Sequence, residues 1–246
     1  MPIAVNGKGM LSTNINGLGR QSANGYGIDV GGINGSGLDR DLELYLPLHA
    51  LPTSPMVSSD KNQHICSKFG AIWTPQGYSF DGDDGIVNNT RLFTAYPFTL
   101  SGWIKANSTN VTDSNTMVWI GDKDANDIHW MIRVNITTGF ANIRARNITN
   151  YDTNGAVNLF DSWHYITGVF ASATSRLLNV DGVNVAEGTD SITYSSAVDR
   201  FAIGYAARNT PDTYTKGTIG EVLGWSRALS VAEDMHNYLA TRWRYL

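Results

Sequence analysis

Two runs in this chain carry enough oxygen donors to hold a hard cation. Asp81-Gly-Asp-Asp-Gly85 places three carboxylates in four positions, and Asp122-Lys-Asp-Ala-Asn-Asp127 offers three more. Clustered carboxylate and carbonyl oxygens favour calcium. The second run is not an EF-hand, because its sixth position is Asp127 instead of glycine and its twelfth is Arg133 instead of glutamate. A solvated turn is therefore the expectation at Asp81, Asp83 and Asp84, with calcium held by one or more of them as the alternative, and no cofactor is implied beyond that. Tyr151, Tyr205 and Tyr214 lie at or beside expected loops; core or rim packing is the first reading of each, and an aromatic face stacked on a sugar ring is the alternative that makes them candidate glycan contacts. The five histidines (His49, His64, His129, His164 and His236) show no metal-ligand spacing. No Gly-X-Ser-X-Gly elbow is present to raise a serine nucleophile.

The elements that must position these groups read as strands. From Phe160 to Ala186, apolar residues recur at every second position: Trp163, Tyr165 and Val169 with Phe170, then Leu178 and Val180, then Val183 and Val185. That is the period of a strand with one buried face. Asp181-Gly182 between the last two runs predicts a two-residue hairpin, since a primed turn needs positive φ and Asp and Gly tolerate it best. Leu42, Leu44, Leu46 and Leu48 alternate inward, with Asp41, Glu43 and Tyr45 outward. Ser67 to Trp73, Gly77 to Phe80, Phe98 to Lys105, Thr116 to Gly121 and Ile128 to Asn135 continue the pattern, as do Ala141 to Asn147, Phe201 to Tyr205 and Thr218 to Trp225. Trp103, Trp119 and Trp130 are the expected heavy anchors. A dozen or so short strands separated by turn signals predict a two-sheet sandwich. Helix is expected only at the end, where Ser230-Val-Ala-Glu233 is a capping box and Met235, Leu239 and Trp243 fall on one face against the sandwich rim.

Five segments in order resemble the LamG-like (concanavalin A-like) jelly-roll family. Gly77-Tyr-Ser-Phe-Asp-Gly-Asp-Asp-Gly-Ile86 is similar to its ALxFDGxDDYV segment, and Phe98-Thr-Leu-Ser-Gly-Trp-Ile-Lys105 to FTISAWVK. Trp163-His-Tyr165 followed by Arg176-Leu-Leu-Asn-Val-Asp-Gly-Val-Asn-Val-Ala186 is similar to WHHV...LYVDGVLVA. Tyr214 to Ser230 resembles FxGxIDEVRIYNRALS, and Asn237 to Trp243 resembles GYLAxKW. The resemblance covers roughly residues 42 to 243 and implies an all-β, antiparallel jelly-roll sandwich with a short C-terminal helix. It also implies that His164 occupies a core-strand position as a structural residue. Glycan-cleaving relatives carry Glu-X-Asp with a second Glu two or three residues on; this chain has no such pattern, and Glu187, Glu221 and Glu233 lack such neighbours. Rim calcium in related jelly rolls often uses the Asp of IDEV, which is Gly220 here, so that ligand is lost.

Residues 1–38 are of different composition, with Asn-Gly-X-Gly recurring at Asn6, Asn16, Asn24 and Asn34. Ten glycines and few apolar residues cannot bury a core of their own, so the segment is read as an arm ordered by contact with a neighbour through Ile15, Leu18, Tyr26 and Ile28, or else as a flexible leader. The jelly-roll domain is expected over residues 39–246. A net charge of -4 without a basic stripe excludes nucleic acid and an anionic membrane surface as expected partners. A single cysteine, Cys66, rules out an intrachain disulfide. The N-terminus shows no apolar signal region, which conflicts with the extracellular setting usual for this fold. Assembly inside a cell into a particle later released resolves that conflict. The expectation is a non-enzymatic virion accessory protein of bacteriophage type, a capsid decoration or fibre- or tail-associated subunit. It would be a homo-oligomer in its assembly, joined to other subunits by the arm and presenting a jelly roll to surface carbohydrate. The alternatives are a cell-surface or secreted carbohydrate-binding module and a glycan-degrading enzyme.

Overall fold

The computed structural model describes residues 40–109 and 114–246; the arm residues Ile15, Leu18, Tyr26 and Ile28 lie outside them. The described strands are β1 (Leu42–Leu46), β2 (Met56–Val57), β3 (Ile65–Phe69), β4 (Ile72–Thr74), β5 (Gly77–Asp81), β6 (Gly85–Asn88), β7 (Phe98–Ala106) and β8 (Ser114–Gly121). They continue as β9 (Ile128–Asn135), β10 (Phe140–Asn147), β11 (Thr149–Asn158), β12 (Trp163–Ser172), β13 (Ser175–Val180), β14 (Val183–Gly188), β15 (Arg200–Ile203) and β16 (Lys216–Trp225), before helix α1 (Val231–Thr241). Two antiparallel sheets result. The first runs β14-β13-β12-β7-β16-β5-β4, with β1 also on β16; the second runs β11-β10-β9-β8-β15-β6-β3-β2.

The core lies between them. Phe98, Leu100, Ile104, Ile166, Phe170 and Leu178 of the first sheet meet Val118, Ile120, Trp130, Ile132, Ile143 and Phe201 of the second. Phe98 stacks on Phe93 at 4.7 Å and on Phe170 at 4.8 Å. This is the two-sheet sandwich that the alternating strands and turn signals predict, and it agrees with the jelly roll that the family resemblance implies.

Several faces fall differently from expectation. Trp103, Trp119 and Trp130 are all fully buried, but only Trp130 lies between the sheets. Trp103, Trp163 and Tyr165 form a separate cluster with Tyr245 on the outer side of the first sheet, so β12 is buried on both faces. Val183 and Val185 are exposed, because β14 is the last strand of its sheet. Tyr45 is buried rather than outward: it packs with Leu42, Leu223, Trp225 and Leu229, and the register shifts between Leu42 and Leu44. Ser67 to Trp73 is not one strand. Gly70, at φ +68°, lets the chain pass from β3 in the second sheet to β4 in the first.

Helix α1 begins with both halves of the expected capping box: Ser230 Oγ accepts from the Glu233 N–H, and the Glu233 side chain accepts from the Ser230 N–H at 2.9 Å. Its buried residues, however, are Asp234, Asn237 and Thr241, while Leu239 and Trp243 are exposed. The helix lies on the outer face of the first sheet rather than at the rim, because that face offers hydrogen-bond partners. Thr167 Oγ1 and Asn179 Nδ2 donate to the Asp234 carboxylate at 2.6 and 2.9 Å, and Trp103 Nε1–H donates to Thr241 Oγ1 at 2.8 Å. A polar docking face satisfies the buried groups that an apolar one would leave bare. Ser230→Ala removes the cap and is expected to lower stability by about 1 kcal/mol, measurable as a shift in the urea midpoint.

Candidate functional site

The turn between β5 and β6 carries Asp81, Asp83 and Asp84, and one oxygen from each lies within 4.8 Å of the others. Asp84 Oδ2 accepts the Asp81 N–H at 2.9 Å, which folds the buried Asp84 carboxylate back into the turn. Gly70 makes room for it, since a Cβ there would lie 1.5 Å from Asp84 Oδ1. Burial pushes the Asp84 carboxyl above the usual range, and a shared hydrogen bond with Asp81 does the same for Asp83. Among the described residues no Lys or Arg pairs with any of the three. The second acidic run differs. There Asp122, Asp124 and Asp199 converge, but Lys123 Nζ already lies 2.7 Å from both Asp124 and Asp199. An ammonium takes the place a cation would have, so the two runs that look alike in sequence part company.

Tyr205 and Tyr214 stack face to face at 5.3 Å with an interplanar angle of 8°. Phe69 meets Tyr205 edge-on at 5.2 Å. Gly85 backs directly onto these rings, since a Cβ there would lie 2.4 Å from Tyr205 and 2.6 Å from Phe69. The acidic turn and the aromatic pair thus share one rim, and Asp83 lies near enough to help raise the Tyr214 hydroxyl, after burial and Asp212. Tyr205 is the buried member and Tyr214 the half-buried one. Tyr151 is not brought here. It sits on β11, opposite Ala145 of β10 and packed against the main core.

The sequence reading missed a polar grid on the outer face of the second sheet. Trp130, Ile132, Ala141, Ile143 and Ala145 point into the core, so their alternates point outward. The registers set these in three cross-strand rows: Arg133, Asn142 and Asn154; Met131, Arg144 and Asp152; His129, Arg146 and Asn150. Arg133 donates to Asn142 Oδ1 at 2.7 Å and to Ser114 at 2.9 Å, and Asn142 donates to Asn154 at 2.8 Å. Arg144 grips Asp152 with two bonds of 2.8 Å. The alternation Asn142-X-Arg144-X-Arg146 was the available signal. On the first sheet, Glu221 is fully buried and burial pushes it up to about 7 against the pull of Arg244, which pairs with it at 3.1 Å.

The fold is an antiparallel two-sheet β-sandwich of the jelly-roll class. The chain belongs to the concanavalin A-like lectin/glucanases superfamily: the Laminin_G_3 family profile matches residues 80–233. No curated protein matches it. Among solved structures it is similar to domain 4 of AbnA, a GH43 extracellular arabinanase from Geobacillus stearothermophilus, in complex with arabinotriose (17% identity, TM-score 0.63, covering 79% of this chain and 97% of that one). It is also similar to the receptor binding domain of botulinum neurotoxin D (13%, TM-score 0.62), covering 82% of this chain but only 53% of that one. A third is the Ruminococcus gnavus IT-sialidase CBM40 bound to α2,3 sialyllactose (15%, TM-score 0.52, 59% and 84%).

Proposed function

We propose that this chain binds carbohydrate without cleaving glycosidic bonds, and that it does so as an accessory subunit displayed on a virion, a capsid decoration or a fibre- or tail-associated protein, joined to its assembly by residues 1–38. The observation that carries the binding reading is the shared rim, where three carboxylates with no cationic partner among the described residues lie beside the stacked Tyr205 and Tyr214. A calcium ion at Asp81, Asp83 and Asp84 would relieve the crowding of their charges and offer coordination to sugar hydroxyls, while Tyr214 supplies a ring face. The arabinotriose and sialyllactose held by two structures of similar fold support this reading. Against glycoside cleavage stands Glu221, a buried acid pushed up to about 7, whose partner is Arg244 and not the second carboxylate that such chemistry uses.

Binding of the full chain to an immobilised glycan panel, with calcium and with chelator, tests the reading. At least one glycan class should be retained, and both Tyr214→Ala and chelation should weaken it about tenfold or more, the loss expected for a stacking contact or a bridging ion. A panel with no retained glycan, or retention indifferent to both changes, would sink it. The display reading is tested separately: a chain lacking residues 1–38 should fold but fail to join particles.

A further inference from the structure

Where β12 begins, three side chains the sequence did not link stand in hydrogen-bond sequence. Ser162 Oγ lies 3.0 Å from His164 Nε2, and His164 Nδ1 lies 2.8 Å from Asp181 Oδ2. The second contact follows from the Asp181-Gly182 turn, with φ of 53° and 78°. That turn swings Asp181 back over β12, where its other oxygen accepts the Tyr165 N–H at 2.9 Å and its own N–H donates to Tyr165 O at 2.8 Å. The carboxylate is thereby held on both sides. Facing an ionised carboxylate, Nδ1 carries the ring proton, which leaves Nε2 as an acceptor aimed at the Ser162 hydroxyl. The other acceptor near Oγ, the Phe160 carbonyl, is farther at 3.4 Å. Ser162 is exposed and His164 partly so, which lets solvent and solute reach both.

His164 and Asp181 also form one side of an apolar slot of about 210 Å³ between the edges of the two sheets, completed by Ala141, Gly155, Leu159 and Val185. Its volume lies below the range of a drug-sized pocket and suits a short acyl chain. Nucleophile, base and orienting carboxylate therefore stand in the order that serine hydrolases use, beside a seat for an acyl group, although the serine sits at a strand entry and not on an elbow.

We propose that Ser162 is a base-activated nucleophile that cleaves short-chain carboxylic esters. Oγ attacks the acyl carbon as Nε2 takes its proton. The ester C–O bond breaks, the proton passes from Nε2 to the departing alkoxide, and the acyl group remains on Oγ. A water that loses its proton to Nε2 then attacks the same carbon, the free acid leaves, and Ser162 recovers its proton; nothing is oxidised or reduced. Asp181 is the positioning residue. The rate expected is that of a base-assisted nucleophile, about 10²- to 10⁴-fold over the unassisted reaction.

Because Asp181 also holds Tyr165, Ser162→Ala and His164→Gln carry the test. The full chain should turn over p-nitrophenyl acetate and butyrate at least about a hundredfold faster than either variant, and p-nitrophenyl dodecanoate no faster than they do. A fluorophosphonate should add once, on the peptide bearing Ser162, in the parent chain and in neither variant. Circular dichroism confirms that both variants are folded. Equal rates for parent and Ser162→Ala, or an adduct on another residue, would overturn the proposal. So would a rate that falls in His164→Gln alone, since the imidazole would then be attacking the ester itself.

Discussion

Trp103→Ala is expected to lower the unfolding free energy by about 3–5 kcal/mol, the range for emptying a buried aromatic site. The ring is fully buried and stacks on Tyr245 at 4.6 Å and Tyr238 at 5.7 Å, with Tyr165 tilted against it at 5.6 Å. Its N–H donates to Thr241 Oγ1, which in turn donates to the Asn237 carbonyl at 2.8 Å. One residue of β7 therefore anchors both the last turn of α1 and the tail beyond it. Proteolysis should show the consequence, with the C-terminal helix cut in the variant well below the midpoint of global unfolding. Trp163→Ala empties the same cluster, where Trp163 meets Tyr245 at 4.7 Å, and is expected in the same range. The double variant should lose less than the sum, since both rings share Tyr245. A loss under about 1 kcal/mol for Trp103→Ala would mean that the helix is not seated on the sheet.

The second large effect is a loss of stability in acid, with His129 as its main source. The imidazole is buried, and among the described residues neither ring nitrogen has a hydrogen-bond partner. Burial, and after it the positive charge of Arg208, Arg144, Arg146 and Arg133, pushes its pKa down to about 3. In the unfolded chain a histidine protonates near its usual value of about 6.5, so between that pH and about 3 the unfolded state binds more protons. Stability from this group is complete above the unfolded value and is lost as pH falls, on the order of 4 kcal/mol across the interval. His49, pushed down to about 4 by burial and then Arg244, adds to the loss. Glu221 opposes it. Its pKa is raised to about 7, so its contribution is full below the unfolded carboxyl value and is lost as pH rises towards neutrality. The two imidazoles together are displaced further than Glu221, so the net effect of these three groups is a fall in stability towards acid. His129→Phe should flatten the acid limb of urea midpoints measured from pH 7 down to pH 4. At pH 7 it should be at least as stable as the parent, because it removes a buried polar ring that has no hydrogen-bond partner among the described residues. Parallel acid limbs for the two proteins would refute the assignment.

Local pattern was sufficient for the hairpin turn, the helix start and the sandwich class, though not for the break at Gly70 that divides Ser67 to Trp73 between two sheets. The Asp181-Gly182 hairpin forms because both positions need positive φ, and α1 starts at Ser230 because the cap and Glu233 satisfy each other. The alternating strands sufficed for the sandwich class, since strand period and turn chemistry act within ten residues or so. What covers a strand face is not local. Alternation in β12 marks two sides but cannot say that Trp163 and Tyr165 lie under α1 while Ile166 and Phe170 lie between the sheets. Nor could an apolar helical stripe foretell a helix held by Asp234 and Thr241, because the partners, Thr167 and Trp103, belong to strands far away in the chain. The two acidic runs are equivalent as letters, yet Lys123 closes one through Asp199, 76 positions on. Ser162 and His164 stand two residues apart in every conformation of the chain, but only the folded hairpin brings Asp181 to the imidazole Nδ1 and leaves Nε2 facing the hydroxyl.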